Sequence, residues 1–470
     1  MAGVSLTVLM GTLDMSIVNI SLPTLVKELE TDFATIQWVI LSYVLVITVL
    51  MLSVARAGDM YGKKKLFAAG LALFTLSSLL CGLSPSVGWL IGFRALQGLG
   101  AVMTQALGAA IVVEIFPPSE RGRAMGIIGG VVSLGLAFGP PVGGLLIGTL
   151  GWQSIFLVNV PLGILAMLVF WRFVPSTPPL ETGQRFDLIG ALILLVALAG
   201  YALGMTMGQN WGFGDSRILT MLAVALIGLV IFLITESRIN QPMLDLTLFR
   251  NPLFSINLLM GLLVFIALGG TFIMPFFLEM VKGYSTQHVG LMMMVVPVVM
   301  GAVSPLAGSL SDRFGPRGIS IVGLCAVVAG CLAISTLHAG VTWLGFVLRM
   351  VPFGLGLGIF QAPNQSAIMG EAPRARLGLA SGLLNFSRSM GHTSGVPLMG
   401  VIFTVHVLAV AHLPARTDFT AAPPTALVAG VTGAYRVAAL VIAVSTVLAV
   451  AALLIDRRRQ AAAPAGSGHN

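Results

Sequence analysis

Long apolar runs separated by short polar breaks dominate the chain, and most runs are too long to be strands or ordinary core helices. A helix rises about 1.5 Å per residue, so roughly 18 to 20 apolar residues cross the hydrocarbon core of a bilayer. Fourteen segments reach that length: 4–25, 36–57, 66–83, 87–115, 125–150, 155–174, 188–207, 218–234, 254–280, 289–310, 319–337, 341–369, 377–411 and 434–455. The pattern predicts an all-α polytopic membrane protein with fourteen transmembrane helices. The first run continues past Asp14 to Pro23 with no cleavage signal, so it is expected to stay as a span.

The pattern also repeats. Asp59-Met60-Tyr61-Gly62-Lys63, after the second span, is echoed by Asp312-Arg313-Phe314-Gly315-Pro316 after the tenth, an offset of 312 − 59 = 253 residues. Trp89 and Arg94 are echoed by Trp343 and Arg349, and Arg121 and Arg123 by Arg374 and Arg376. Internal repeats of this kind build many secondary transporters. The expected organisation is a six-helix bundle over 1–174, an inserted two-helix hairpin with linkers over 175–251, a second six-helix bundle over 252–456 and a cytoplasmic tail over 457–470.

Composition sharpens this picture. Only 9% of residues are charged and 57% are hydrophobic, against about 25% charged in a soluble domain. The net charge of +8 would suggest nucleic acid in a soluble protein, but here it sorts by loop. Threaded through fourteen spans, seventeen Lys and Arg fall on one side, and only Lys27, Arg217, Lys282 and Arg416 on the other. By the positive-inside rule both termini are then cytoplasmic, and no nucleic-acid partner is expected. Cys81, Cys325 and Cys331 lie in apolar stretches and read as buried, inert thiols. No metal is expected: the six His never fall at helical ligand spacing, and phosphate-cradling Gly-Lys-Ser/Thr loops are absent, which argues against an intramembrane enzyme or an ATP-driven pump.

Several polar residues sit inside the apolar runs. Asp14 lies about 15 Å deep, where a carboxylate costs at least about 2.5 kcal/mol without compensation. It is either an anchor for a helix kink or a site that takes up and releases a proton. Arg94, with Gln97 and Gln105 further along the same helix, forms a polar stripe that faces the bundle interior; the alternative is that Arg94 snorkels to the near interface. The same reasoning singles out Arg349. Gln361 and Asn364 share one face, as do Asn385 and Arg388, and such pairs either line a cavity or bond neighbouring helices. The run Met292-Met293-Met294 reads as lipid-facing filler, with an adaptable ligand wall as the alternative. Gly139-Pro140-Pro141 removes backbone donors inside a span and predicts a bend.

These motifs together resemble the major facilitator superfamily, specifically its fourteen-span drug:proton antiporter branch, the QacA/EmrB-like group. The first-helix motif is Leu13-Asp14-Met15-Ser16-Ile17-Val18-Asn19-Ile20-Ser21-Leu22-Pro23, and the fourth-helix motif is Arg94-Ala95-Leu96-Gln97-Gly98-Leu99-Gly100. The fifth-helix antiporter motif centres on Gly139-Pro140-Pro141-Val142-Gly143-Gly144, and Phe156-Leu157-Val158-Asn159-Val160-Pro161 is similar to the group as well. The first loop signature departs from the family at Ala55, Ala57 and Met60, whereas the second copy keeps Gly308, Leu310, Asp312, Arg313 and Gly315.

The resemblance implies a major facilitator fold in a bacterial cytoplasmic membrane, driven by the proton gradient with no cofactor. It implies export of lipophilic, amphipathic or cationic small molecules in exchange for protons by a monomer; a dedicated exporter of one natural product is the alternative, and a channel the weaker one. Asp14 and Arg94 would couple the proton. Asn19, Gln97, Gln105, Gln361, Asn364, Asn385 and Arg388 are the pocket candidates. Asp59, Gly62, Lys63, Arg121, Arg123, Gly139, Pro140, Pro141, Gly143, Gly144, Asp312, Arg313, Gly315 and Arg317 would serve the gating and antiporter motifs.

Overall fold

A computed structural model describes residues 1–115, 121–174, 188–239, 246–373, 377–412 and 422–462. Fourteen of its helical segments are long and apolar enough to cross a membrane. The first eight spanning helices are α1 (Ala2–Glu28), α2 (Trp38–Tyr61), α3 (Lys63–Gly82), α4 (Val87–Ile115), α5 (Arg121–Leu150), α6 (Asn159–Phe173), α7 (Leu188–Trp211) and α8 (Ser216–Arg238). The remaining six are α9 (Pro252–Leu268), α10 (Val295–Phe314), α11 (Pro316–Ile334), α12 (Trp343–Glu371), α13 (Leu377–Ala411) and α14 (Pro424–Ala462). Since the span number is even, both chain ends lie at the same end of the molecule, here the terminal end.

The repeat has a backbone counterpart. Gly62, between α2 and α3, has φ 95°, and Gly315, between α10 and α11, has φ 83°. Both turns need a residue without a Cβ. A second echo appears only in three dimensions. Gly139 and Gly143 of α5 lie against Ser16 and Ile17 of α1, while Gly391 and Gly395 of α13 lie against Phe265 and Ile266 of α9. The offsets are 391 − 139 and 395 − 143, both 252 residues. A Cβ at Gly139 would come within 2.5 Å of Ser16, and one at Gly395 within 2.4 Å of the Ile266 carbonyl oxygen. Small residues bring these helix pairs to close range where lipid provides no hydrophobic drive.

Two spans are less regular than their apolar runs suggest. Beyond α9 the chain continues as a 3₁₀ turn at Gly269–Phe272, a short α-helix at Ile273–Phe276 and a π-turn at Phe277–Val281. Gly269 sits on the Gly395–Val396 backbone there, and Pro275 lacks a backbone donor. A short helix at Thr286–Met293 leads into α10 and stops at Met294. By contrast α5 runs unbroken through Pro140 and Pro141.

The halves meet mainly at the end opposite the termini. Phe33, between α1 and α2, packs against Phe272, Phe276 and Phe403 with ring centroids 5.5, 5.0 and 5.5 Å away. Nearby, α5 interlocks with the helix preceding α10: a Cβ at Gly290 would lie 2.3 Å from the Pro140 carbonyl oxygen, and one at Gly144 2.5 Å from that of Thr286. The α7–α8 hairpin covers one side of the molecule. Leu194 and Leu198 of α7 share an apolar cluster with Leu45 and Val49 of α2 and Leu383 and Leu384 of α13, and the Trp38 indole donates to Thr206 Oγ1 at 3.1 Å. Leu226, Ile227 and Val230 of α8 remain exposed, as a lipid-facing surface requires.

Candidate functional site

Asp14 is wholly buried, and every polar contact it makes is to a donor. Arg94 Nη1 donates to Oδ2 at 2.7 Å, while Gln97 Nε2 at 3.0 Å and Asn159 Nδ2 at 2.8 Å both donate to Oδ1. Two helices thus aim donors at the carboxylate that α1 carries: α4 through Arg94 and Gln97, and α6 through Asn159. Arg94 is 1% exposed, so it turns inward rather than snorkelling. Its Nε donates to the Val39 carbonyl oxygen at 2.9 Å, and Nη1 also reaches Gln97 Oε1. Gln97 is closed in further by Ser78 Oγ, 2.7 Å from its Nε2. Breaking such a buried pair on one side leaves an uncompensated charge, which costs about 3–5 kcal/mol.

The guanidinium lies 4.2 Å from the centre of the Tyr43 ring and 5.7 Å from that of Phe156. Tyr43 matters for a second reason: its other side lines a central cavity of about 510 Å³ between the halves, whereas Asp14, Arg94 and Gln97 do not line it. Tyr43 is therefore the wall between cavity and ion pair. The cavity extends toward the terminal end as far as Thr7, Gly108 and Ile128. Its lining is mostly apolar, with a few polar groups from both halves, the usual make-up of a small-molecule site.

Five of the pocket candidates reach this cavity: Asn19, Gln105, Gln361, Asn385 and Arg388. Two do not. Gln97 is wholly buried beside Asp14 and belongs to the carboxylate's donors. Asn364 is buried against Gly261 of α9 and does not line the cavity. Met292 and Met293 line the cavity and so are not lipid-facing filler. Arg349 is not a second buried arginine: its Nε donates to Thr336 Oγ1 at 2.9 Å and its Nη1 to the Gly345 carbonyl oxygen at 2.9 Å. Cys81 and Cys331 are buried, but Cys325 is exposed.

Around the loop motifs, three charge pairs each join residues of one half. Lys63 pairs with Glu114 at 3.3 Å in the first, and Arg317 pairs with Glu371 at 2.6 Å and Asp456 at 3.2 Å in the second. Arg313 is exposed, its guanidinium 5.3 Å from the Phe314 ring centre. The side chains of Asp59, Arg121, Arg123 and Asp312 fall outside the described residues.

Sequence reasoning did not single out Tyr43, Ser78 or Asn159 for the site. Asn159 stood within a quoted motif, yet nothing in its spacing showed that it reaches Asp14.

Fourteen spans in repeated halves, enclosing a central cavity beside a buried ion pair, define a secondary transporter. The Major Facilitator Superfamily profile matches residues 4–396, and the chain belongs to that family. It is 33% identical over 400 residues to the riboflavin transporter RibZ of Clostridioides difficile, covering 84% of this chain and 86% of that protein. It is 33% identical to the tetracenomycin C resistance and export protein of Streptomyces glaucescens, covering 86% and 75% of the two chains. It is 35% identical to the multidrug resistance protein Stp of Mycobacterium tuberculosis, covering 83% and 73%. A solved bacterial homologue of the human lysosomal transporter Spinster, in an inward-facing and unoccupied conformation, superposes with a TM-score of 0.68 at 16% identity, covering 96% of this chain and 95% of that one. That likeness concerns the fold.

Proposed function

We propose that this chain is a proton-coupled exporter of amphipathic small molecules, working by alternating access in the bacterial cytoplasmic membrane. The observation that carries the reading is Asp14, fully buried, held by Arg94, Gln97 and Asn159, and separated from the cavity by Tyr43. A proton placed on Asp14 turns an acceptor oxygen into a donor, which then faces N–H groups on every side. The cluster must rearrange, and Tyr43, stacked on Arg94, is released to move in the cavity wall. A substrate pressing on Tyr43 acts on the same contacts from the other side. Proton and substrate then influence one another reciprocally, as linkage requires.

Orientation follows from the charge bias: the terminal end faces the cytoplasm, and the cavity extends toward it, so substrate is collected there. The resistance and export relatives support outward transport. The proton gradient is the energy source, with no cofactor. One chain encloses the whole cavity, which supports a monomeric transport unit. The relatives named for single compounds, riboflavin and tetracenomycin C, support the second reading of a dedicated exporter on the same scaffold.

The test is substrate-dependent proton movement in proteoliposomes containing only this protein. Wild type should move protons when substrate is added, and Asp14→Asn should not. Full proton-coupled export by Asp14→Asn would sink the mechanism.

A further inference from the structure

The cavity wall carries an uneven charge. Among the described residues lining it, Arg388 of α13 is the only Arg, Lys, Asp or Glu. Asp14 does not line the cavity and is already paired with Arg94, on whose guanidinium Tyr43 stacks. Arg388 has no such neutralisation. Its hydrogen bond is to a neutral amide, Nη2 to Gln365 Oε1 at 3.3 Å, and its guanidinium lies 5.6 Å from the centre of the Phe265 ring. A guanidinium offers five N–H donors in a planar fork that matches carboxylate-like groups. Gln361, Asn385 and Ser389 face the same space with further hydrogen-bonding groups. The rest of the surround is mostly apolar, including Met292, Met293 and Phe353, with His392 one turn from Arg388 and scattered Thr, Tyr and amide groups.

An organic cation entering this space meets a fixed positive charge and no carboxylate. A molecule with an acidic group on an apolar body meets a cation with free donors at one point and a soft apolar wall elsewhere. We propose that the cavity selects amphipathic organic anions, carboxylates or acidic phenols on a polycyclic or otherwise apolar frame, and that Arg388 is the residue that reads the acid. This rests on the exporter reading above and names its substrate class. It also gives a use to a charge that stands in a membrane span, where ionisable side chains are costly.

Two xanthene dyes of opposite charge, fluorescein and tetramethylrhodamine methyl ester, serve as probes. Each is titrated into the purified full-length protein in detergent, with protein-free micelles subtracted. Wild type should bind fluorescein about tenfold more tightly than the rhodamine ester, the size of one charge-assisted hydrogen bond. Arg388→Gln should lose about that factor for fluorescein while keeping or improving its hold on the cation, which also shows that it is folded. Arg388→Lys should keep part of the preference, as a point charge without the fork. Tighter binding of the cation, no binding of fluorescein by wild type, or a preference that Arg388→Gln leaves unchanged overturns the proposal. These titrations need no gradient. A failure of proton coupling would therefore appear only in the vesicle assay and leave the dye preference intact.

Discussion

The two halves of the molecule carry an arginine at matching points of the repeat and treat it in opposite ways. Arg94 comes seven residues after the start of α4 at Val87, and Arg349 six residues after the start of α12 at Trp343. The first is buried against a carboxylate; the second bonds a hydroxyl and a carbonyl close to its own helix end. The difference lies on the partner helix. Position 14 of α1 is Asp, three residues before Ile17, whereas the residue three before its packing counterpart Ile266 in α9 is Leu263. Arg94 turns inward onto its carboxylate, whereas Arg349, which has none, bonds groups near its own helix end. The scaffold duplicates, but the buried ion pair belongs to one half.

Mutations can break that comparison, beginning with the largest effect. Asp14→Asn should reduce gradient-driven export to the background of protein-free vesicles, while Leu263→Met in the other half leaves it near wild type; dye efflux and proton release in the same vesicles decide this. Arg94→Ala leaves a buried carboxylate without its cation and should cost about 3–5 kcal/mol, seen as a lowered thermal unfolding midpoint in detergent. Arg349→Ala should stay within about 0.5 kcal/mol of wild type. Equal losses for the two arginines would erase the asymmetry. The Asp14→Asn, Arg94→Ala double mutant should lose less stability than the two single losses added, as expected of residues acting through one contact.

A second pair sharpens what the halves share. Gly139→Leu and Gly391→Leu each force a side chain into a helix contact of the same design and should each cost about 1–3 kcal/mol. A large loss at one site with none at the other would show that the packing echo is only apparent. The smallest effect is expected at Tyr43→Phe. The Tyr43 hydroxyl has no hydrogen-bond partner among the described residues, so stability should change by less than about 0.5 kcal/mol and export should persist. Tyr43→Ala, which removes the wall itself, should loosen the tie between substrate and proton.

The spans, the repeat and the pair Asp14 and Arg94 were legible in the chain because polar atoms in an apolar run are rare and costly. Depth along a helix follows from counting residues, so Asp14 at mid-span could be placed. Direction around the helix is another matter. Gln97 and Gln105 lie on one stripe, yet one faces a carboxylate and the other a cavity; Gln361 and Asn364 are three residues apart, yet only the first lines that space. Which neighbour a face meets depends on how fourteen helices pack, and local spacing does not contain that. Tyr43 and Asn159 stayed hidden for a related reason: an aromatic ring or one amide in a span looks like ordinary packing until its partner is known. The two prolines of α5 leave that helix continuous.

The interlocked backbones of Gly144 with Thr286 and Gly290 with Pro140 bear on how often the far end can part and reseal. A seam of long side chains would regain rotamer freedom on opening and surrender it at each closure, up to about 2 kcal/mol per flexible chain. Glycine against main chain has no such freedom to lose, so this seam closes without an entropic toll from its glycines, and a Cβ at either position is a permanent wedge. Alanine at Gly290 should shift the resting population toward the state open at that end.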